Sequence, residues 1–239
     1  MRRLGIIAAP GWMDPTAADF LTRHPEHVEI AQTILGPAGH DMSFATIRSC
    51  EPHLLEAARL LVEAGCECIA QVGPIFAYQA GGSATGAQAL GLRLSESVGV
   101  PVVLNGCAVL GALEELGIRR FAAVCPYYDA PWKAQFLSFM ENAGYRVGGG
   151  QSFVDLGIFP SQDAVDARRY VFSEDEVLRA IQLNVEQSKQ PEAVVVTGSG
   201  VRTLSWLPKA QERFGIPVIS ADAALYSAVV RTMQLSRGL

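Results

Sequence analysis

The segment "RRLGIIAAPGWMD" from Arg2 returns 117 residues later as "RRFAAVCPYYD" from Arg119. The echo continues in order: "YRVGGGQSFV" answers "HVEIAQTIL", "EAVVVTG" answers "ECIAQVG", and "GIPVISADAALYSAV" from Gly215 answers "GVPVVLNGCAVLGAL" from Gly99. Four matched segments in one order mark an internal duplication, so whatever one half builds the other builds too. Each segment is a short apolar run followed by a turn and an amphipathic stretch, which predicts βαβ units and parallel strands. The expected fold is α/β: two pseudo-symmetric flavodoxin-like lobes, each a four-stranded parallel sheet flanked by helices, with a cleft between them. The N-terminal lobe is placed at residues 1–112, with 221–239 returning to it as a C-terminal helix, and the C-terminal lobe at 113–220.

Local signals fill in the helices. Asp14-Pro15 predicts an N-cap and a first helical residue for "PTAADFLTRH". Ser49 is expected to open a helix that buries Leu54, Ala58, Leu61 and Val62 and stops at Gly65. Asp129 is expected to cap "APWKAQFLSFM", whose Trp132, Phe136, Phe139 and Met140 form one apolar face.

Ligands of open α/β sheets bind beyond the carboxyl ends of the strands. Gly73 and Gly198 follow the third strand of each half, and Pro10 and Pro126-Tyr127-Tyr128 follow the first. In "TGSGVRT", Thr197 to Thr203, the N–H groups of Gly198, Ser199 and Gly200 are expected to open a helix, pointing at an anion with the helix dipole behind them. Ser199 offers a hydroxyl to a ligand or caps that helix. Arg202 either reaches a second carboxylate or lies on the helix surface. In the first half Pro74 has no N–H, which leaves Ile75 as the donor.

The rest of the chain narrows the function by exclusion. A formal charge of −5 with scattered arginine pairs gives no field for nucleic acid. The first apolar run is about six residues long before Asp14, too short for a leader, and no run approaches the roughly 20 residues of a membrane span. A cytoplasmic location is the expectation. Five cysteines, an odd number, argue against a disulfide framework. Cys66 with Cys68, and His24 with His27, lack the second half of a zinc site. "GGSATG" and "TGSGV" miss the G-x-S-x-G spacing of a nucleophile elbow. "LGPAGH" lacks the dinucleotide pattern and no G-x-x-x-x-G-K exists, so no nucleotide cofactor is expected. Cys107 and Cys125, just past the fourth and fifth strands, read first as inert core thiols.

The duplication, the length and the stretches "QVGPIFAYQAGG", "NGCAVLGALEELGIRRFAAVCPYYD" and "VVVTGSGVRTLSWLP" make the chain resemble, nearly end to end, the aspartate/glutamate racemase superfamily in its arylmalonate decarboxylase and maleate isomerase branch. In that superfamily a cysteine after the third strand of one or both lobes moves a proton beside a carboxylate. The resemblance places those positions at Gly73 and Gly198, so it implies a member lacking both catalytic cysteines. Racemisation and thiol addition then lose their chemistry. Loss of CO₂ needs an apolar setting for the leaving carboxylate and donors for the enediolate, which amides and hydroxyls supply. Tyr127 matches the tyrosine that helps hold the carboxylate in arylmalonate decarboxylases. The expected function is a cofactor-independent, decarboxylase-like lyase or related carbon-acid enzyme acting on a small carboxylate or dicarboxylate. Tyr127 and Ser199 take the catalytic roles. Binding is expected from Pro10, Gly73, Pro74 and Ile75 in one lobe, and from Tyr128, Thr197, Gly198, Gly200 and Arg202 in the other. No cofactor, metal, nucleic acid or membrane is expected, and a homo-oligomer is compatible. A hydrolase or hydratase using the same cradle, or a non-catalytic carboxylate-binding homologue, stays open.

Overall fold

A computed structural model describes residues 1–10, 14–36 and 42–235. Residues 11–13 of the first echo and 37–41, which include part of "LGPAGH", lie outside the described residues. The chain divides into two compact units, Met1–Ala108 with Ala224–Leu239, and Val109–Ala223.

The first unit carries β1 (Arg2–Ala8), α1 (Thr16–Arg23), β2 (Val28–Ile34), α2 (Phe44–Arg48), α3 (Glu51–Glu63), β3 (Cys68–Gln71), α4 (Pro74–Gly81), α5 (Ala84–Val98) and β4 (Val102–Leu104). Helix α6 (Asn105–Glu115) leads into the second unit. There follow β5 (Arg120–Val124), α7 (Ala130–Asn142), β6 (Arg146–Gln151), α8 (Gln162–Asp166), α9 (Glu174–Gln187), β7 (Ala193–Val196), α10 (Leu207–Phe214) and β8 (Val218–Ser220). Helix α11 (Ala221–Thr232) returns the chain to the first unit.

The two sheets repeat one topology, β2-β1-β3-β4 and β6-β5-β7-β8, with every pairing parallel. Registers echo as well: Arg2 pairs with Val28, and Arg120 with Arg146. The duplication is therefore structural. In the first unit Leu4, Ile6 and Ala70 of the sheet pack with Phe20 of α1 and with Leu225 and Val229 of α11. Each large side chain removed from water there contributes roughly 1.5–3 kcal/mol, which is what holds α11 to this unit. In the second, Val124, Val194 and Val196 pack with Phe153 and with Val177 and Ile181 of α9.

Local expectations met mixed outcomes. Helix α1 starts at Thr16, one residue later than expected, yet the Asp14 carboxylate still accepts the Thr16 N–H at 2.7 Å. Ser49 does not open α3. It closes the short helix α2, donating its hydroxyl to the carbonyls of Ala45 and Thr46, each at 3.2 Å. Leu54, Ala58 and Leu61 are buried as the periodicity required, while Val62 is half-buried. Asp129 caps α7 through the Trp132 N–H at 3.0 Å, with Phe136, Phe139 and Met140 buried. The echo strand β6 is irregular: its register against β5 shifts between Ala123 and Val124. The shift follows from Gly149, at φ +69°, where a Cβ would lie 2.7 Å from Asn184 Oδ1 and 3.0 Å from the Ala123 carbonyl. Among the described residues no helix is long and apolar enough to cross a membrane.

Candidate functional site

Strand β7 lies between β5 and β8, and the Thr197 N–H prolongs its ladder by donating to the Val124 carbonyl at 2.9 Å. The chain then turns at Gly198, with φ +87°, a left-handed backbone that glycine adopts without strain. Space demands glycine as much as geometry does. A Cβ on Gly198 would lie 2.2 Å from Tyr127 Oη and 2.5 Å from Cζ, so the tyrosine's polar end fills the volume a side chain would take. A Cβ on Gly200 would lie 2.6 Å from Cδ1 of Tyr170. The two rings meet edge to face, centroids 4.9 Å apart at 76°. Two glycines thus let two tyrosines rest on the turn.

The polar groups of this turn divide into spent and unspent. Gly200 N–H donates to Tyr127 Oη at 3.2 Å. Arg202 donates through a guanidinium nitrogen to the Ser199 carbonyl at 3.1 Å, so it braces the turn from behind. The N–H groups of Gly198 and Ser199, both buried, meet no acceptor among the described residues, and neither does the Ser199 hydroxyl. Buried amides are nearly always paired, so two adjacent open ones, beside an open hydroxyl and a phenol, suit an anion's oxygens.

The helix expected directly after the turn is absent. Helix α10 begins only at Leu207, with Pro208 in its first turn, so Ser199 is not a cap and no dipole stands behind the open amides. Thr203 explains the delay. Its N–H donates to Asp222 at 2.6 Å and its hydroxyl to the other carboxylate oxygen at 2.8 Å, while Ser220 Oγ lies 2.5 Å from that hydroxyl. All three residues are buried. The carboxylate takes the donors a helical turn would need, holding the segment irregular until the helix starts at Leu207.

Tyr128 and Thr197 serve beneath the turn. Tyr128 is 4% exposed, and Thr197 Oγ1 donates to its hydroxyl at 3.4 Å. Burial pushes the Tyr128 phenol well above its ordinary range, which removes it from proton exchange at neutral pH. The thiols are silenced in the same way: burial pushes Cys107 up to about 11, Cys50 and Cys68 up to about 12, and Cys125 higher still. Since the thiolate is the nucleophile, none of these four is primed to act as one.

In the first unit Gly73 has φ +99°, and its N–H donates to Asn105 Oδ1 at 3.2 Å. A Cβ there would press against the Phe76 ring at 3.0 Å. Pro74 opens α4, and both Pro74 and Ile75 are buried. Gln71 donates to the carbonyls of Val72 and, at 3.1 Å, Gly73. The Ile75 N–H meets no acceptor among the described residues, whereas the Gly73 N–H is spent on Asn105. Pro10, half-buried, stands in the turn that follows β1. In both units a polar side chain just past the fourth strand, Asn105 or Asp222, ties down the chain that follows the third. Sequence reasoning missed both; the common signal was a short polar residue where "VVLN" and "VISAD" pass from strand to helix. Among the described residues no group of three His, Cys, Asp or Glu side chains could hold a metal ion.

Comparison with known proteins gives consistent results. The model of a family described as arylmalonate decarboxylase matches residues 9–238. An arylmalonate decarboxylase of Bordetella bronchiseptica is 27% identical over 195 residues, covering 82% of this chain and 74% of its own. Among solved structures, a glycine-to-cysteine, cysteine-to-serine double mutant of arylmalonate decarboxylase in its liganded form superposes with a TM-score of 0.79 at 19% identity, covering 100% of this chain and 96% of that one. The maleate isomerase Iso of Pseudomonas putida S16, as a cysteine-to-alanine variant with maleate, gives 0.76 at 15% identity, over 98% of this chain and 92% of that one.

Proposed function

Because the chain belongs to the arylmalonate decarboxylase family, we propose that it is a cofactor-independent decarboxylase of small 2-substituted malonate-type dicarboxylates that works without a catalytic thiol. One observation carries the reading: at the turn after β7, Tyr127 Oη occupies the space where a side chain on residue 198 would stand. The phenol takes the place of the sulfur.

The chemistry follows from that substitution. One carboxylate of the substrate is held by the open N–H groups of Gly198 and Ser199 and by the Ser199 hydroxyl. The other leaves as CO₂: its bond to the central carbon breaks, and the electron pair passes into an enediolate spread over the retained carboxylate. Donors aimed at that charge stabilise the transition state more than the ground state. Tyr127 then gives its proton to the carbon and recovers one from water. A free phenol with a pKa of about 10 is a weak acid. The Gly200 N–H donates to its oxygen and fixes the phenol over the turn. Removing one such donor is expected to cost about 10²–10³ in kcat.

The test is turnover of a panel of 2-substituted malonates in deuterated water. Released CO₂ with one deuterium at the central carbon of the monoacid is the expected result. A thermal shift with these compounds but no CO₂ from any of them would replace the enzyme with a carboxylate-binding homologue.

A further inference from the structure

A cavity of about 240 Å³ opens at the N-terminal ends of β5 and β6, the end of the sheet opposite to the Gly198 turn. Val147 and Pro191, both half-buried, give it apolar surface above the buried Phe121, and Arg120, Arg146 and Lys189 bring three cationic groups to it. It is slightly smaller than the roughly 300 Å³ at which ordinary ligand pockets begin, so its occupant is a small molecule.

The charges around it do not cancel. Glu192 is the neighbouring carboxylate, ion-paired to Arg120 at 3.6 Å. It accepts the backbone N–H groups of Arg119 and Arg120 at 2.8 and 2.9 Å, and these bonds hold its pKa below the usual carboxylate range, so it stays anionic and occupied. Arg120 is fixed further by donating its Nε to the Gln190 carbonyl at 2.7 Å. Gln190 reaches that position through a left-handed backbone, φ +50°, which a residue with a side chain adopts at a cost. Arg146 and Lys189 make no side-chain hydrogen bond or ion pair among the described residues. Glu192 pairs with Arg120 and lies within the electrostatic reach of Arg146 as well, so a single carboxylate faces three cations and the cavity keeps an excess of positive charge. The opening also depends on Gly148, where a Cβ would strike Ser188 Oγ at 2.8 Å.

We propose that this cavity is a second binding site, independent of the reading of the Gly198 turn, for a small organic dianion whose apolar body rests on Val147 and Pro191. Arg120 supplies a pre-positioned guanidinium, and Arg146 and Lys189 close on the two charges.

Titration calorimetry with phenyl phosphate, with phthalate and with benzyl alcohol tests it, on the parent protein, an Arg146→Gln/Lys189→Gln double variant and Tyr127→Phe. The two dianions separate a phosphate preference from a dicarboxylate one. The proposal expects one or both to bind the parent, at least tenfold weaker binding to the double variant with its circular dichroism unchanged, and affinity within twofold for Tyr127→Phe. Benzyl alcohol should not bind measurably. Equal affinity for parent and double variant, loss in Tyr127→Phe alone, binding of benzyl alcohol as tight as that of the dianions, or no binding of either dianion would each overturn it.

Discussion

A methyl group added at Gly198 carries two separable costs. The left-handed backbone, φ +87°, disfavours a residue with a Cβ by about 1–2 kcal/mol. The Cβ would also lie 2.2 Å from Tyr127 Oη, so the ring has to swing away. Swinging gives up the Gly200 N–H bond and the edge contact with Tyr170, together roughly 1–2 kcal/mol. Gly198→Ala should therefore lose about 2–4 kcal/mol, read as a lower urea midpoint at unchanged slope. In a Tyr127→Ala background the collision is gone and only the backbone cost remains, so a double-mutant cycle should return a coupling of about 1–2 kcal/mol. A Gly198→Ala protein within about 0.5 kcal/mol of the parent, or costs that simply add, would refute the packing of Tyr127 on the turn. By the same reasoning Gly198→Cys should gain little activity on arylmalonates unless Tyr127 is shortened as well.

Three further outcomes are expected. Thr203→Val removes the hydroxyl shared by Asp222 and Ser220, leaving a buried carboxylate short of a donor; urea unfolding should show a loss of about 1–3 kcal/mol, and a neutral substitution would contradict the network. His24 is held below the ordinary imidazole range by burial and then by the charges of His27 and Arg23. The unfolded chain thus takes up its proton first, so this contribution to stability is complete above about pH 6.5 and falls as the pH drops below it. Urea midpoints from pH 8 to 5 should decline more for the parent than for His24→Gln, and identical slopes would count against that assignment. Burial of Cys50, Cys68 and Cys125 should leave them slow toward a disulfide reagent at pH 8 in the folded protein and fast in urea, and rapid labelling of any one when folded would contradict its burial; Cys107, only half-buried, is expected to label sooner.

Much of the architecture was legible because it is written locally and written twice. Val- and Ile-rich runs such as "AVVV" and "PVVLN" have few other places to go than buried parallel strands, and the order of echoes carried both sheet topologies. The glycine turn after β7 was legible too, whereas the packing of Tyr127 on Gly198 emerges only in the fold. What stayed hidden depends on partners distant in sequence. Nothing near Thr203 announces that Asp222 will take its N–H, so the local pattern suggested a helix at Gly198–Gly200 where the structure starts one only at Leu207. Tyr170 lies in a long connection between β6 and α9 without periodicity, and only the fold brings it onto Gly200. The helix α2 was missed because five residues carry too little periodicity to register, and Ser49, a good capping residue, suits either end of such a junction.

We propose that an amide and phenol cradle performs the family's chemistry without sulfur. Its most direct test compares decarboxylation rates, on a malonate the parent turns over, for Tyr127→Phe and for the five cysteines replaced singly by alanine. The expected result is kcat within about threefold of the parent for every cysteine variant and a fall of about 10²–10³ for Tyr127→Phe. A loss of that size in any one cysteine variant, with Tyr127→Phe fully active, would contradict it.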